Sequence, residues 1–216
     1  MLGAELAALK PRDPVVLALP RGGVPVACGV AAALGARLDL AIVRKVGAPA
    51  NPELAVAAIV DGDPPEVILN REIVEAYGLQ DDQLAALVAQ ERPELERRRS
   101  VYRGGRPPVP VRGKSVVIVD DGAATGTTMK VVARAIRRRS PAQLILALPV
   151  ASPEAVAELG PEADRVVCLS QPQRFRALSY HYRDFHQLDD AEVVALLAGA
   201  RRDRAVKRGV AAPLSD

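Results

Sequence analysis

The sequence predicts an α/β fold, a mostly parallel central sheet flanked by helices, and three observations carry that prediction. Short apolar runs of strand length alternate with segments whose apolar residues recur at helical spacing. Glycine, proline or adjacent charges close nearly every run, so strand, turn and helix follow one another repeatedly. Aromatic residues make up only 3% of the chain and Trp is absent, so the core must be built of interlocked aliphatic layers, as a sheet between helices is.

The elements follow in order. PVVLALP, Pro14 to Pro20, is a continuous apolar run bounded by prolines and reads as a buried strand. An RGG turn leads from it into VPVACGVAAALGA, a helix with Pro25 in its first turn and Gly35 as its stop. Residues 38–44 (LDLAIVR) and 54–60 (LAVAAIV) read as two more strands. Between them KVGAPANPE carries a glycine and two prolines and predicts a mobile, polar-facing loop. From Asp61 a turn, a short strand and a short helix follow, and then a longer helix from Asp81 to Arg99 that Pro93 is expected to kink or divide.

GGRPPVP breaks the chain before the strand at 116–119. After it come a helix from Thr127, a strand at 142–150, a helix with Ser152 as cap and Pro153 in its first position, and a strand at 163–170. A terminal helix from Leu188 passes into a charged, loosely ordered end. The crossover rule makes the sheet parallel with helices on both faces. The expectation is one domain over 1–216, with its core sheet drawn from 14–60 and 115–170 and accessory segments at 61–113 and 171–200.

Charge excludes little. With 29 basic and 26 acidic residues the net charge is +3, too balanced to imply nucleic acid as an obligatory partner. The runs Arg97–Arg99 and Arg137–Arg139 read as solvated helix faces, nucleic-acid contact being the lesser reading. Cys28 and Cys168 stand outside any metal or CxxC spacing and read as small buried apolar residues in a reducing compartment. No apolar run approaches the ~20 residues that span a bilayer, and the N-terminus lacks a basic leader region, so a cytoplasmic protein without a membrane partner is expected. His181 and His186 have no partner at catalytic or metal-ligand spacing. Phe175, Tyr180, Tyr182 and Phe185 read as packing of a small lobe, with nucleobase stacking as the alternative.

The chemistry gathers where strands end. Ligands of open α/β sheets bind beyond the carboxyl ends of strands, and three such ends carry PRGG, RK and DDGAATGTT. In VVIVDDGAATGTT, Val116 to Thr128, small residues let a ligand approach the backbone just ahead of a helix N-terminus, which makes an anion cradle. Asp120 and Asp121 would repel that anion unless they bind something else. A ribose diol satisfies them, and so does Mg2+. A Walker B strand would end in the same way, but neither GxxxxGK[ST] nor GxGxxG occurs in the chain.

VVIVDDGAATGTT resembles the phosphoribosyl diphosphate (PRPP) signature of type I phosphoribosyltransferases: four aliphatics, two acids, two small residues, then a threonine and glycine turn. The resemblance implies that Asp120 and Asp121 bind the ribose hydroxyls and the metal, and that Ala123, Ala124, Thr125, Gly126, Thr127 and Thr128 bind the 5′-phosphate. LPRGG is similar to the family's pyrophosphate loop, in which the peptide before the basic residue is often cis; Pro20, Arg21, Gly22 and Gly23 occupy its places. IVRKVGAPANPE looks like the strand and flexible catalytic loop of the adenine and orotate enzymes, so Arg44 and Lys45 inherit a catalytic contact to pyrophosphate. The family's fold is Rossmann-like with a small hood, here drawn from 61–113 or 171–200.

The implied activity is Mg2+-assisted transfer of the phosphoribosyl group of PRPP to a nitrogenous base with release of pyrophosphate, a pentosyl transfer of nucleotide salvage or synthesis, in a protein that is commonly a homodimer. Ala124 stands where the 6-oxopurine branch carries an Asp, which argues against that branch, whereas the adenine branch tolerates Ala. The alternative is a regulatory protein that keeps the PRPP site as a sensor and has lost transfer.

Overall fold

The computed structural model describes residues 1–207 and 209. The chain forms two compact units, Met1–Leu40 with Pro108–Asp216 and Ala41–Pro107. The larger unit opens with α1 (Leu2–Ala8), β1 (Val15–Ala18), α2 (Gly23–Leu34) and β2 (Arg37–Leu40). The chain then builds the smaller unit from β3 (Val43–Ala48), β4 (Asn51–Val60), β5 (Glu66–Leu69), α3 (Arg71–Ala76) and α4 (Asp81–Arg103). It returns to the larger unit with β6 (Ser115–Val119), α5 (Thr127–Arg138), β7 (Gln143–Val150), α6 (Pro153–Leu159), β8 (Arg165–Ser170) and α7 (Asp190–Lys207).

The larger unit is a parallel five-stranded sheet in the order β2-β1-β6-β7-β8. Every residue of β1 and β6 is buried, as continuous aliphatic runs covered on both faces must be. From β1 the chain crosses outward to β2, and from β6 it crosses the other way to β7 and β8. Right-handed crossovers in opposite directions put α2 on one face and α5 and α6 on the other. Helix α5 turns Met129, Val132, Ala133, Ala135 and Ile136 inward, and α1 and α7 pack on α2. The strand order therefore reverses between β1 and β6, where a crevice opens at the carboxyl ends of both.

The smaller unit is an antiparallel sheet in the order β3-β4-β5 with α4 packed on β3 and β4. Three expectations change here. The parallel sheet ends at Leu40, so residues 43–60 belong to a separate sheet and the predicted strand at 38–44 is two strands. KVGAPANPE is a hairpin and not a loop: β3 runs through Gly47 to Ala48, and Pro52 lies within β4. Register shifts on either side of Gly47 form an irregularity that admits the proline, and a Cβ at Gly47 would come within 2.7 Å of Pro52 backbone atoms. Pairing across the hairpin thus overrides the local breakers.

Helix α4 also runs unbroken through Pro93. A proline removes one helical hydrogen bond there, while ion pairs from Glu94 to Arg97 and Arg98 and a buried anchor from Arg103 to Asp61 hold the turns that follow. The arginine runs are engaged by carboxylates: Arg99 lies 3.6 Å from Asp61, and Arg137 lies 3.0 Å from Asp164. Both cysteines are half-buried thiols where full burial was expected, and burial pushes each upward. The expected loose end falls, from residue 210, outside the described residues. Among those described, no helix is long and apolar enough to cross a membrane.

Candidate functional site

The site is built where β1 and β6 end side by side. Leu19 N–H donates to Val119 O at 2.9 Å, carrying the pairing one step past the strands, and the chain then turns sharply as Gly23 N–H donates to Leu19 O at 3.1 Å. The Pro20–Arg21 peptide is cis, as the resemblance implies. Arg21 is exposed and, among the described residues, in no ion pair.

Two glycines let the motifs meet. A methyl group at Gly22 would fall on the Asp121 carboxylate, and one at Gly23 would lie 2.7 Å from Val119 O and 2.9 Å from Asp120 Cα. Segments about a hundred residues apart in sequence are thus in direct contact, and only residues without side chains fit between them.

Asp120 and Asp121 follow Val119. Asp120 Oδ1 accepts the Asp121 N–H at 2.9 Å, yet burial, and after it the neighbouring Asp121 charge, holds the Asp120 carboxyl well above the usual carboxylate range. Among the described residues neither carboxylate has an ion-pair partner. Adjacent hard oxygens with no built-in cation suit Mg2+. No group of three or more ligating side chains occurs among the described residues, so such an ion would complete its shell from water and substrate, as Mg2+ commonly does.

Beyond the acids, Asp120 and Gly122 to Met129 line a hollow of about 120 Å³. Gly126 enters the left-handed region at φ 70° and starts α5. The first helical acceptor is Gly126 O, taken by Lys130 N–H at 2.9 Å, so the N–H groups of Thr127, Thr128 and Met129 find no carbonyl within the helix. They face the hollow's end together with the positive end of the helix dipole. The hydroxyls of Thr125 and Thr127 lie 3.1 Å apart.

Two site residues escaped the sequence reading. Ser152 caps α6 as expected, accepting Ala155 N–H at 2.9 Å, and its hydroxyl also donates to Ala124 O at 2.7 Å. Its position just past β7, the strand beside β6, was the available signal. Tyr182 donates its hydroxyl to Asp121 O; burial, then the charges of Asp121 and Asp120, push that hydroxyl up to about 12. Leu178 lies against Gly122, so part of 171–200 covers the DDG turn. Nothing in the sequence marks Tyr182 from its aromatic neighbours. His181 stacks on Phe175 at 5.0 Å, and His186 meets Glu192 at 2.9 Å.

The structure brings together Pro20 to Gly23 and Asp120 to Thr128. Arg44 and Lys45 belong to the smaller unit, within β3 opposite Ile59 and Ala58, and Arg44 Nε pairs with Glu91 at 2.5 Å.

Comparison with known proteins agrees with this fold. A family profile for the phosphoribosyl transferase domain matches residues 2–179. A provisionally named phosphoribosyl transferase of Mycobacterium tuberculosis, in strains CDC 1551 and H37Rv, is 43% identical over 202 residues, 94% of this chain and 45% of that protein. The chain thus spans about half the length of these curated relatives. The crystal structure of TT1426 from Thermus thermophilus superposes with a TM-score of 0.82 at 43% identity, covering 92% of this chain and 93% of that one. With its acid pair and threonine-glycine turn set at the crossing point of a parallel sheet, the chain belongs to the phosphoribosyl transferase family.

Proposed function

We propose that the chain transfers the phosphoribosyl group of PRPP to a nitrogenous base and releases pyrophosphate. The observation that supports this reading is the contact of the PRGG turn with the Asp120–Asp121 pair at the β1–β6 strand ends, which brings together the segments assigned to the diphosphate and to the ribose hydroxyls. Asp120 and Asp121 accept hydrogen bonds from the ribose hydroxyls. The N–H groups and hydroxyls from Ala123 to Thr128 hold the 5′-phosphate, and Pro20 to Gly23 receive the diphosphate, with Arg21 supplying a cation that is in no ion pair among the described residues. Asp120 and Asp121 would hold Mg2+, whose positive charge would favour departure of the diphosphate.

Charge develops on the leaving group, so preorganised cations in place before reaction are the main source of rate, with no covalent nucleophile required. Arg44 and Lys45 are assigned to the same diphosphate on motif order. Ala124 favours an acceptor outside the 6-oxopurine branch. A nucleotide-metabolic role in the cytoplasm and a homodimeric state belong to the same reading.

One observation favours the sensor alternative: Arg44, a cation assigned to the leaving group, is already held by Glu91. Incubation with Mg2+, PRPP and a panel of purines, pyrimidines and other nitrogen heterocycles, following pyrophosphate, separates the two. Release with one acceptor establishes transfer and names the base. PRPP binding without release on any acceptor establishes the sensor.

A further inference from the structure

The loop from Asp121 to Thr125 crosses the site with three of its carbonyl oxygens tied down. Tyr182 donates its hydroxyl to Asp121 O. Ser152 donates its N–H to Ala123 O at 2.9 Å and its hydroxyl to Ala124 O at 2.7 Å. Because that hydroxyl also accepts Ala155 N–H at 2.9 Å, its one proton is directed to Ala124.

The peptides of this loop are trans, and across a planar trans peptide the C=O of one residue and the N–H of the next point in opposite directions. Holding the oxygens of Asp121, Ala123 and Ala124 therefore aims the N–H groups of Gly122, Ala124 and Thr125 the other way. Those three residues line the 120 Å³ hollow, while Ser152 and Tyr182 do not. A loop made of Gly, Ala and Thr has little side-chain bulk to stop its peptides from flipping, and a flipped peptide would present a carbonyl oxygen to an anion.

We propose that Ser152 and Tyr182 are positioning residues that fix the direction of these peptide dipoles, so that the hollow is an anion receptor before its ligand arrives. The inference rests on the phosphoribosyl reading for the identity of the anion, a sugar 5′-phosphate. Its energetic content is preorganisation: the ligand need not reorganise the loop on binding.

The test is calorimetric titration of the whole chain with PRPP and Mg2+, comparing wild type with Ser152→Ala, Ser152→Thr and Tyr182→Phe. Losing one neutral hydrogen bond that orients the receptor should raise Kd about fivefold to tenfold in Ser152→Ala and Tyr182→Phe. The number of sites per chain should stay at the wild-type value, and Ser152→Thr, which keeps the hydroxyl, should bind close to wild type. A merely structural role would instead lower the number of competent sites and leave Kd unchanged, and that result overturns the proposal. Wild-type Kd in either variant with full occupancy removes that residue from it. Absence of PRPP binding by the wild-type chain would bring down the phosphoribosyl reading itself, a result distinct from both.

Discussion

Two carboxylate sites, one in each unit, follow nearly the same sequence: AAIVDGD ends β4 at Asp61, and VVIVDDG ends β6 at Asp120 and Asp121. They are completed in opposite ways. Asp61 is 4% exposed and accepts from Arg103 Nε at 2.8 Å, with Arg103 itself 4% exposed and Arg99 at 3.6 Å from the second oxygen. Asp120 and Asp121 have each other and no cation among the described residues. An aspartate with its guanidinium built in is finished as a structural joint, tying β4 to α4. A pair of aspartates without one is left open to hydroxyls or a metal from outside, which is why the second site is the one proposed to bind while the first holds.

The largest effect should come from breaking the finished site. Arg103→Ala leaves Asp61 buried without its main partner, and such removals cost about 3–5 kcal/mol. Urea unfolding followed by circular dichroism should show that loss in the midpoint. A loss below about 1 kcal/mol would mean that Arg99 or water replaces the guanidinium, and the contrast with Asp120 would weaken.

The same substitution logic reverses at the open site. Asp120→Asn should leave stability unchanged or raised, because the native state holds this carboxyl's proton affinity up through burial and the Asp121 charge. With the folded pKa above the unfolded one, ionisation works against folding, so stability is lost as pH rises from the unfolded value, ~3.9, toward the folded one. The wild-type and Asp120→Asn proteins should therefore be equally stable near pH 3 and diverge in favour of the variant at neutral pH. PRPP affinity at neutral pH should fall about tenfold to a hundredfold, the range for hydrogen bonds to a charged group. A variant that is less stable and binds normally would make Asp120 a second joint.

Why the sequence showed one site better than the other is a matter of distance along the chain. Strands β1, β6, β7 and β8, the ends of β1 and β6 and the helix starting at Thr127 rest on local patterns and were legible, whereas the run through Arg44 hid the end of β2 at Leu40 and the start of a second sheet. The acid pair could be read because the small-residue turn follows it within eight residues. Arg103 lies 42 positions from Asp61, and no pattern announces that pairing. Tyr182 is likewise 61 positions from Asp121. The β3–β4 hairpin failed for a different reason: Gly47 and Pro52 are breakers locally, and only cross-strand pairing explains why they are tolerated. The fold's framework is local and its joints are not.

A smaller effect should follow at the contact between the two site motifs. Gly23→Ala would set a methyl 2.7 Å from Val119 O, where rigid backbone must move, and overpacking of this kind costs about 1–3 kcal/mol. Gly160→Ala, with nothing within 4 Å of its Cβ, is the matched control and should change stability by less than about 0.5 kcal/mol. If the PRGG turn meets the acids in order to bind, PRPP affinity should fall in the first variant and hold in the second. Equal affinity in both would mean that their contact is packing alone.

Arg44 gives the smallest stability change and the sharpest assignment. Its pair with Glu91 is about a third exposed, 36% on one side chain and 27% on the other, and pairs of that kind contribute about 0–1 kcal/mol. Arg44→Ala should therefore barely move the urea midpoint. If Arg44 nonetheless contacts the leaving diphosphate, pyrophosphate release should fall at least about tenfold, since a cation that acts where charge develops is worth more in the transition state than in the resting fold. A stable, slow variant would class Arg44 with the open carboxylates, as a group whose partner arrives from solution. A destabilised variant with normal turnover would class it with Arg103, and the leaving-group cations would then have to be sought at Arg21 and Lys45.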